Sequence, residues 1–146
     1  MEKCKVIVKK IGTPAEAALL ENTYEAKKEL VGGAISYIDH PLHPDIQIVM
    51  NREGIQKDLP ATVFFDEIGF VIPGNCVFIT HNEDGEMVSL SDEQTQMLLS
   101  DIKEREFNDE TISVSEAFWA MRQAKQFKKD VNMEEEERYG RFNESI

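Results

Sequence analysis

Short β-branched runs broken by turn residues fill the chain as far as Leu90, and from Ser91 onward apolar residues fall at helical spacing. Val6, Ile7 and Val8 between lysines predict a strand over Cys4 to Lys9, closed by Ile11-Gly12-Thr13-Pro14. Ala15 to Glu21 stays open between two states: Ala and Leu favour helix, but the short span after Pro14 allows a second, short strand. Asn22 with Glu25 three residues on has capping-box spacing and predicts a helix from Thr23 to about Val31. Gly32-Gly33 supplies the positive φ that ends such a helix, and Ala34 to Ile38 then alternates as a strand does. Pro41 and Pro44 break ladder pairing between Asp39 and Asp45, after which Ile46 to Met50 resumes an apolar β run.

Four turn signals follow: Asn51-Arg-Glu-Gly54, Asp66-Glu-Ile-Gly69, Pro73-Gly-Asn75 and Glu83-Asp-Gly-Glu86. With short β-rich runs between them they predict a meander of antiparallel strands, closed by a hairpin of Val77 to Thr80 and Met87 to Leu90. Ser91-Asp-Glu-Gln94 is a second capping box, and Met97, Leu98, Leu99 and Ile102 give the helix from about Asp92 to Glu104 an apolar side. Phe107 to Thr111 reads as a polar linker. Ser113-Val-Ser-Glu116 then opens a third helix reaching Lys129 or Asp130, with an apolar stripe of Val114, Ala117, Met121, Ala124, Phe127 and Val131. The stretch from Met133 to Ile146, with Glu134 to Glu137 and no apolar period, is expected to be a disordered acidic tail.

These elements predict an α+β fold: a small, mostly antiparallel sheet of five or six strands packed by two helices, with an appended C-terminal helix. The expected divisions are an α+β domain over 1–105, a linker and amphipathic helix over 106–132, and the tail over 133–146. The expected core is Val6, Val8, Leu20, Leu30, Ile35, Ile48, Val77, Ile79, Leu98 and Ile102.

Length and charge narrow the class. At 146 residues the chain fits one core, and at this size neither disulfides nor a metal is needed to hold it. Cys4 and Cys76 are expected to stay reduced in a cytoplasmic protein, since neither a signal peptide nor an apolar membrane span is visible. A net charge of −12 argues against direct contact with nucleic acid or an anionic membrane. The charge is uneven, because residues 54–104 hold ten acids against two bases. That half could imitate DNA towards a DNA-binding partner, although a solubilising face accounts for it as well.

Few residues offer chemistry. His40, His43 and Asp45 are the one cluster of metal-ligand types, but Pro41 and Pro44 deny them a helix, so a solvated loop is favoured over a metal site. His81 reads as an exposed turn histidine. Cys76 lies in an acidic neighbourhood that would not activate a thiol, which favours a buried structural role. Neither a nucleophile elbow nor a phosphate-binding glycine loop is present, and Asp84-Gly85-Glu86 lacks the twelfth-position ligand of a calcium loop. Trp119 points away from the Ala117, Ala124 and Val131 side of its helix, so Trp119, with Phe118 and Arg122, is the expected partner-contacting group. Docking of Val114, Met121 and Phe127 on the body, or on a second copy of the chain in a homodimer, would leave Trp119 at the rim.

Glu29-Leu-Val-Gly-Gly33-Ala-Ile35, Asn51-Arg-Glu-Gly54, Leu59-Pro60, Pro73-Gly-Asn-Cys-Val-Phe-Ile79 and Gly85-Glu-Met-Val-Ser-Leu-Ser-Asp-Glu93 occur in an order that resembles the domain of unknown function 3846 family. The resemblance covers about residues 4 to 102. Every motif in it is a turn or a cap, so it speaks to fold. It implies an accessory protein of a bacteriophage, a conjugative element or its bacterial host, and it brings no catalytic residue. The chain departs from the pattern in its C-terminal helix and tail and in Phe64-Phe65. The expectation is a non-catalytic accessory or regulatory protein that binds a host or mobile-element protein and takes no cofactor. The alternatives are the acidic DNA mimic and a small-ligand or metal-binding enzyme at the His40 to Asp45 loop.

Overall fold

The computed structural model describes residues 2–124 and residue 126; the expectations for Phe127, Val131, the end of the third helix and the tail lie outside them. In chain order the elements are β1 (Lys3–Lys9), β2 (Glu16–Glu21), α1 (Tyr24–Val31), β3 (Ile35–Asp39), β4 (Ile46–Asn51), β5 (Ala61–Phe65), β6 (Phe70–Pro73), β7 (Cys76–His81), β8 (Met87–Val88) and α2 (Asp92–Lys103). A third helix, α3, occupies residues 114–124. The segment left open in the sequence is thus a strand, β2. No helix among the described residues is long and apolar enough to cross a membrane.

Strands adjacent in the chain pair as antiparallel hairpins: β1 with β2, β3 with β4, β5 with β6 and β7 with β8. What joins the hairpins is β7, which pairs antiparallel with both β1 and β4 and gives a six-stranded sheet of order β2-β1-β7-β4-β3, with β8 beside β7. The β5-β6 hairpin stands outside it as a two-stranded sheet. Both faces of the large sheet are covered, so β4 and β7 read as nearly continuous buried runs.

On one face Cys4, Val6, Val8, Val49, Val77 and Ile79 meet Val31 of α1 and Ile35. On the other, Ile7, Ile46, Ile48 and Phe78 meet Leu98 and Ile102 of α2 and Val63, Phe65 and Ile72 of the small hairpin. The hairpin's outer side, Ala61 and Val71, is covered by Val114 and Ala117 of α3. Eight of the ten expected core residues are buried in this way, while Leu20 and Leu30 are only half-buried at the rim of the first cluster.

Helix boundaries follow local chemistry. Ser91 and Gln94 form the reciprocal capping box expected of them. At α1 the cap is Thr23, not Asn22: the Thr23 hydroxyl accepts the Ala26 N–H at 3.1 Å, whereas the Asn22 amide turns away and donates to the Met87 carbonyl at 3.4 Å. Gly32, at φ +81°, ends the helix in the left-handed conformation.

The stretch expected as a free linker is instead bound along β5. Phe107 N–H donates to the Thr62 carbonyl, Phe64 N–H to Arg105, Ala61 N–H to Ile112 and Val114 N–H to Leu59. Its anchor is Lys9, which alternation on β1 sends to the interior and which is wholly buried. The Lys9 ammonium donates to the Phe107 carbonyl at 2.9 Å, to Asn108 Oδ1 at 2.6 Å and to the Thr13 carbonyl, with the Glu106 carboxylate 3.9 Å away. Burial lowers its pKa, and Glu106 opposes that shift. Lys9→Ala would leave these oxygens dry and unpaired, so a loss of about 3–5 kcal/mol is expected in urea unfolding, with Lys9→Met recovering only part of it. A change below about 1 kcal/mol in Lys9→Ala would show that the oxygens find water instead.

Candidate functional site

The segment bound along β5 fixes where α3 emerges. Asp58, at φ +50°, accepts both the Ser115 N–H and the Ser115 hydroxyl at 3.0 Å, which holds its carboxyl below the usual range. The turn containing Ile55 is thereby tied to the start of α3. With Val114 and Ala117 buried, the opposite side of the helix faces solvent, and Trp119 is 65% exposed. Trp119, Phe118, Arg122, Val114, Ile55 and Asp58 line a groove of about 300 Å³ in which Ile55 is also half-exposed. The three residues expected as a partner contact therefore share one surface, in two roles. Phe118 is partly buried and stacks edge-on against Phe70 at 6.2 Å, which anchors the helix; Trp119 and Arg122 project outward.

A second constellation surrounds His40, whose surroundings the sequence does not announce. The ring is buried, with His43 at 4.7 Å between centroids and Phe65 edge-on at 5.1 Å. The Leu42 N–H donates to His40 Nδ1 at 3.1 Å, so the neutral ring carries its proton on Nε2. Nε2 lies 3.5 Å from Asp101 Oδ2, at the outer limit of a hydrogen bond, and finds no closer partner among the described residues. Asp101 is occupied by Arg105, whose Nε donates to both its oxygens at 2.9 Å while the two terminal nitrogens clamp Glu67 at 2.8 and 2.7 Å. The guanidinium sits 5.2 Å over the Phe65 ring, and its hydrogen bond holds the Glu67 carboxyl below its usual range. The spacing of Asp101 and Arg105 was visible as an i,i+4 pair; the partnership with Glu67 and His40 needed the fold.

The loop does not assemble as a ligand set. His40 Nδ1 is taken, Asp45 Oδ2 accepts from Gln94 at 2.7 Å, and among the described residues no three His, Cys, Asp or Glu side chains are placed to hold a metal ion. Cys76 is fully buried, which pushes its thiol up to about 12, so it has no thiolate to offer at neutral pH. His81, expected to be exposed, is half-buried at the end of β7. In the Asp84-Gly85 turn, Asn82 Oδ1 accepts the Asp84 and Glu86 N–H groups, which makes it an Asx turn. Several acids of residues 54–104 are already engaged: Glu67 and Asp101 with Arg105, Asp58 with Ser115, and Asp92 with Lys5 at 2.7 Å.

Three of the segments that carry the family resemblance, around Gly33, Asn51 and Asn75, meet at the C-terminal end of α1. Asn51 Nδ2 donates to the Val31 carbonyl at 3.1 Å, and Asn75 Nδ2 donates to the Leu30 carbonyl at 3.0 Å, so two distant turns supply side chains to the helix's unpaired carbonyls. Space there is tight: a Cβ on Gly33 would lie 3.2 Å from Asn51, and one on Gly54 would lie 2.6 Å from Pro73. The family model for domain of unknown function 3846 (DUF3846) matches residues 4–104, which contain all of these groups. The chain belongs to the DUF3846 family. No curated protein and no solved structure matches it. The DUF3846 match ends at the close of α2, so the segment bound by Lys9 and the whole of α3 lie beyond it.

The buried imidazole has a consequence for pH. Desolvation, with His43 adding to it, lowers the His40 pKa from 6.5 despite the raising effect of Asp101; Arg105 also lowers it. The unfolded chain therefore takes up this proton at a higher pH than the folded one, and stability falls as pH drops from about 6.5 towards the folded value. His81, lowered by its own desolvation, acts in the same direction. In urea titrations at stepped pH, His40→Gln should flatten the slope just below pH 6.5 while leaving the acid limb of the carboxylates in place. An unchanged slope would mean that His40 titrates alike in both states.

Proposed function

We propose that this DUF3846 member is a non-catalytic accessory or regulatory protein, serving a phage or mobile element or its host, that works by binding another protein through the outer side of α3. The observation carrying this reading is Trp119, 65% exposed beside a half-exposed Ile55, on a helix whose other side is firmly seated. A large rigid aromatic beside a guanidinium is the composition at which interface energy concentrates. What supports a non-catalytic role is that His40 and Cys76, the two side chains best suited to proton transfer or attack, are buried, one with its basic nitrogen taken and the other with its thiol held protonated.

Trp119 reports directly on the proposal because it is the chain's only tryptophan. The free protein should show red-shifted emission that iodide quenches readily, and the emission should shift to the blue when the partner binds. Trp119→Ala, exposed and so neutral for folding, should weaken binding by about 2 kcal/mol or more, and Arg122→Glu should reduce the association rate. Partner capture from host lysate, compared between the wild type and Trp119→Ala, supplies the protein for these measurements. Identical capture by both would remove α3 from the reading, and concentration-dependent blue emission of the pure protein would make a second copy the occupant. Competition by duplex DNA with steep salt dependence would instead favour the acidic mimic.

A further inference from the structure

The groove on α3 has two firm walls. One is the turn from Gly54 to Leu59, closed by the Leu59 N–H on the Gly54 carbonyl at 3.0 Å and by the Asp58 N–H on the Ile55 carbonyl at 3.1 Å. The other is α3 itself, tied to that turn by Asp58 and seated on the small hairpin by Val114, Ala117 and Phe118. Ile55 and Trp119 therefore line the groove from supports that are already in place, and little ordering is left for a partner to impose.

Most polar groups around the groove are spent. The Asp58 carboxylate is bonded twice by Ser115, and Lys57 in the same turn pairs with Glu53 at 3.3 Å. The first N–H groups of α3 are taken in succession: Val114 by the Leu59 carbonyl, Ser115 by Asp58, Glu116 by the Ser113 hydroxyl and Ala117 by the Ser113 carbonyl. The start of the helix thus has no free donor for a chain-terminal carboxylate or a phosphate. The Glu116 side chain is on α3 but does not line the groove. What remains is the Arg122 guanidinium, which lines the groove, is exposed and makes no ion pair or hydrogen bond among the described residues. Its planar fork matches a carboxylate.

We infer, on the reading that α3 is the partner surface, that the groove receives a short segment of a foreign protein carrying one carboxylate side chain beside a large apolar one. The apolar side chain packs on Trp119 and Ile55, and the carboxylate pairs with Arg122. Charge sets a limit as well as an attraction. A single acid is matched by the one unpaired cation of the groove, whereas a run of acids would set its further charges against a chain of net charge −12. A second copy brings the same excess of negative charge and is disfavoured for the same reason. The groove's volume, about 300 Å³, is at the lower end for a ligand pocket, which suits a short linear segment.

The test selects a displayed library of random linear peptides on the full-length protein, after removal of those that also bind Trp119→Ala. The peptides retained should share a large apolar residue with a single Asp or Glu close by and should lack acidic runs, and their affinities are read from the blue shift of Trp119 emission. Arg122→Gln, at an exposed position that folding tolerates, should weaken them by about tenfold. Arg122→Glu should reverse the preference, so that a peptide with Lys in place of its acid binds this variant better than the original peptide does; loss of packing alone would not produce that reversal. Failure to recover any Trp119-dependent peptide would overturn this inference together with the α3 reading. Trp119-dependent peptides that share no acid, or that bind Arg122→Gln as well as the wild type, would overturn the inference and leave that reading standing. Emission that turns blue with protein concentration and without peptide would give the groove to a second copy and overturn it too.

Discussion

A lysine ammonium with no exposed surface is stable only where protein oxygens replace its water, and the placement of Lys9 organises the second half of the chain. The oxygens come from Thr13 at the end of its own strand and from Phe107 and Asn108, nearly a hundred positions away, with Glu106 as counter-charge. Holding those groups at the end of β1 sets the course of residues 106–112 along β5, and that course sets where α3 begins. The exposure of Trp119 is therefore a downstream result of solvating a buried charge. The same logic makes the region sensitive, since a cation that needs several partners is satisfied by all of them together.

The two faces of the large sheet solve their packing differently. On the α1 side the helix is short, and its C-terminal carbonyls are bonded by the amides of Asn51 and Asn75 from two separate turns. That arrangement requires close approach of backbone, which explains why glycines stand at 33 and 54, where a Cβ would press on Asn51 or collide with Pro73. The segments around Gly33, Asn51 and Asn75 that carry the family resemblance thus form a packing joint. On the α2 side, the small hairpin and the helix enclose His40 with Phe65 and Phe78, and Arg105 bridges helix to hairpin through Asp101 and Glu67. The polar groups of that interface mostly satisfy one another; among the described residues His40 Nε2 is the one left with only a long contact, to Asp101.

The surface proposed for a partner is one of side chains. The α3 groove offers side chains, a tryptophan and an arginine on a helix seated beyond the matched domain.

Local chemistry alone determined much of this protein. The Ser91-Gln94 box, the Gly32 terminus, the hairpin turns and the alternation of β1 are decided within a few residues by hydrogen bonding and φ preference, and they were legible as such. The α+β class and the outward direction of Trp119 followed from periodicity. Tertiary structure decided the rest. Whether Ala15 to Glu21 became strand or helix depended on β1 offering an edge, because its intrinsic preference is weak either way. Thr23 displaced Asn22 as cap because Asn22 found the Met87 carbonyl. The order that places β7 between β1 and β4, the encirclement of Lys9 and the convergence of Asn51 and Asn75 on α1 are pairings across tens of residues. Such pairings are chosen by which buried groups can satisfy one another in three dimensions, and no local pattern encodes that choice.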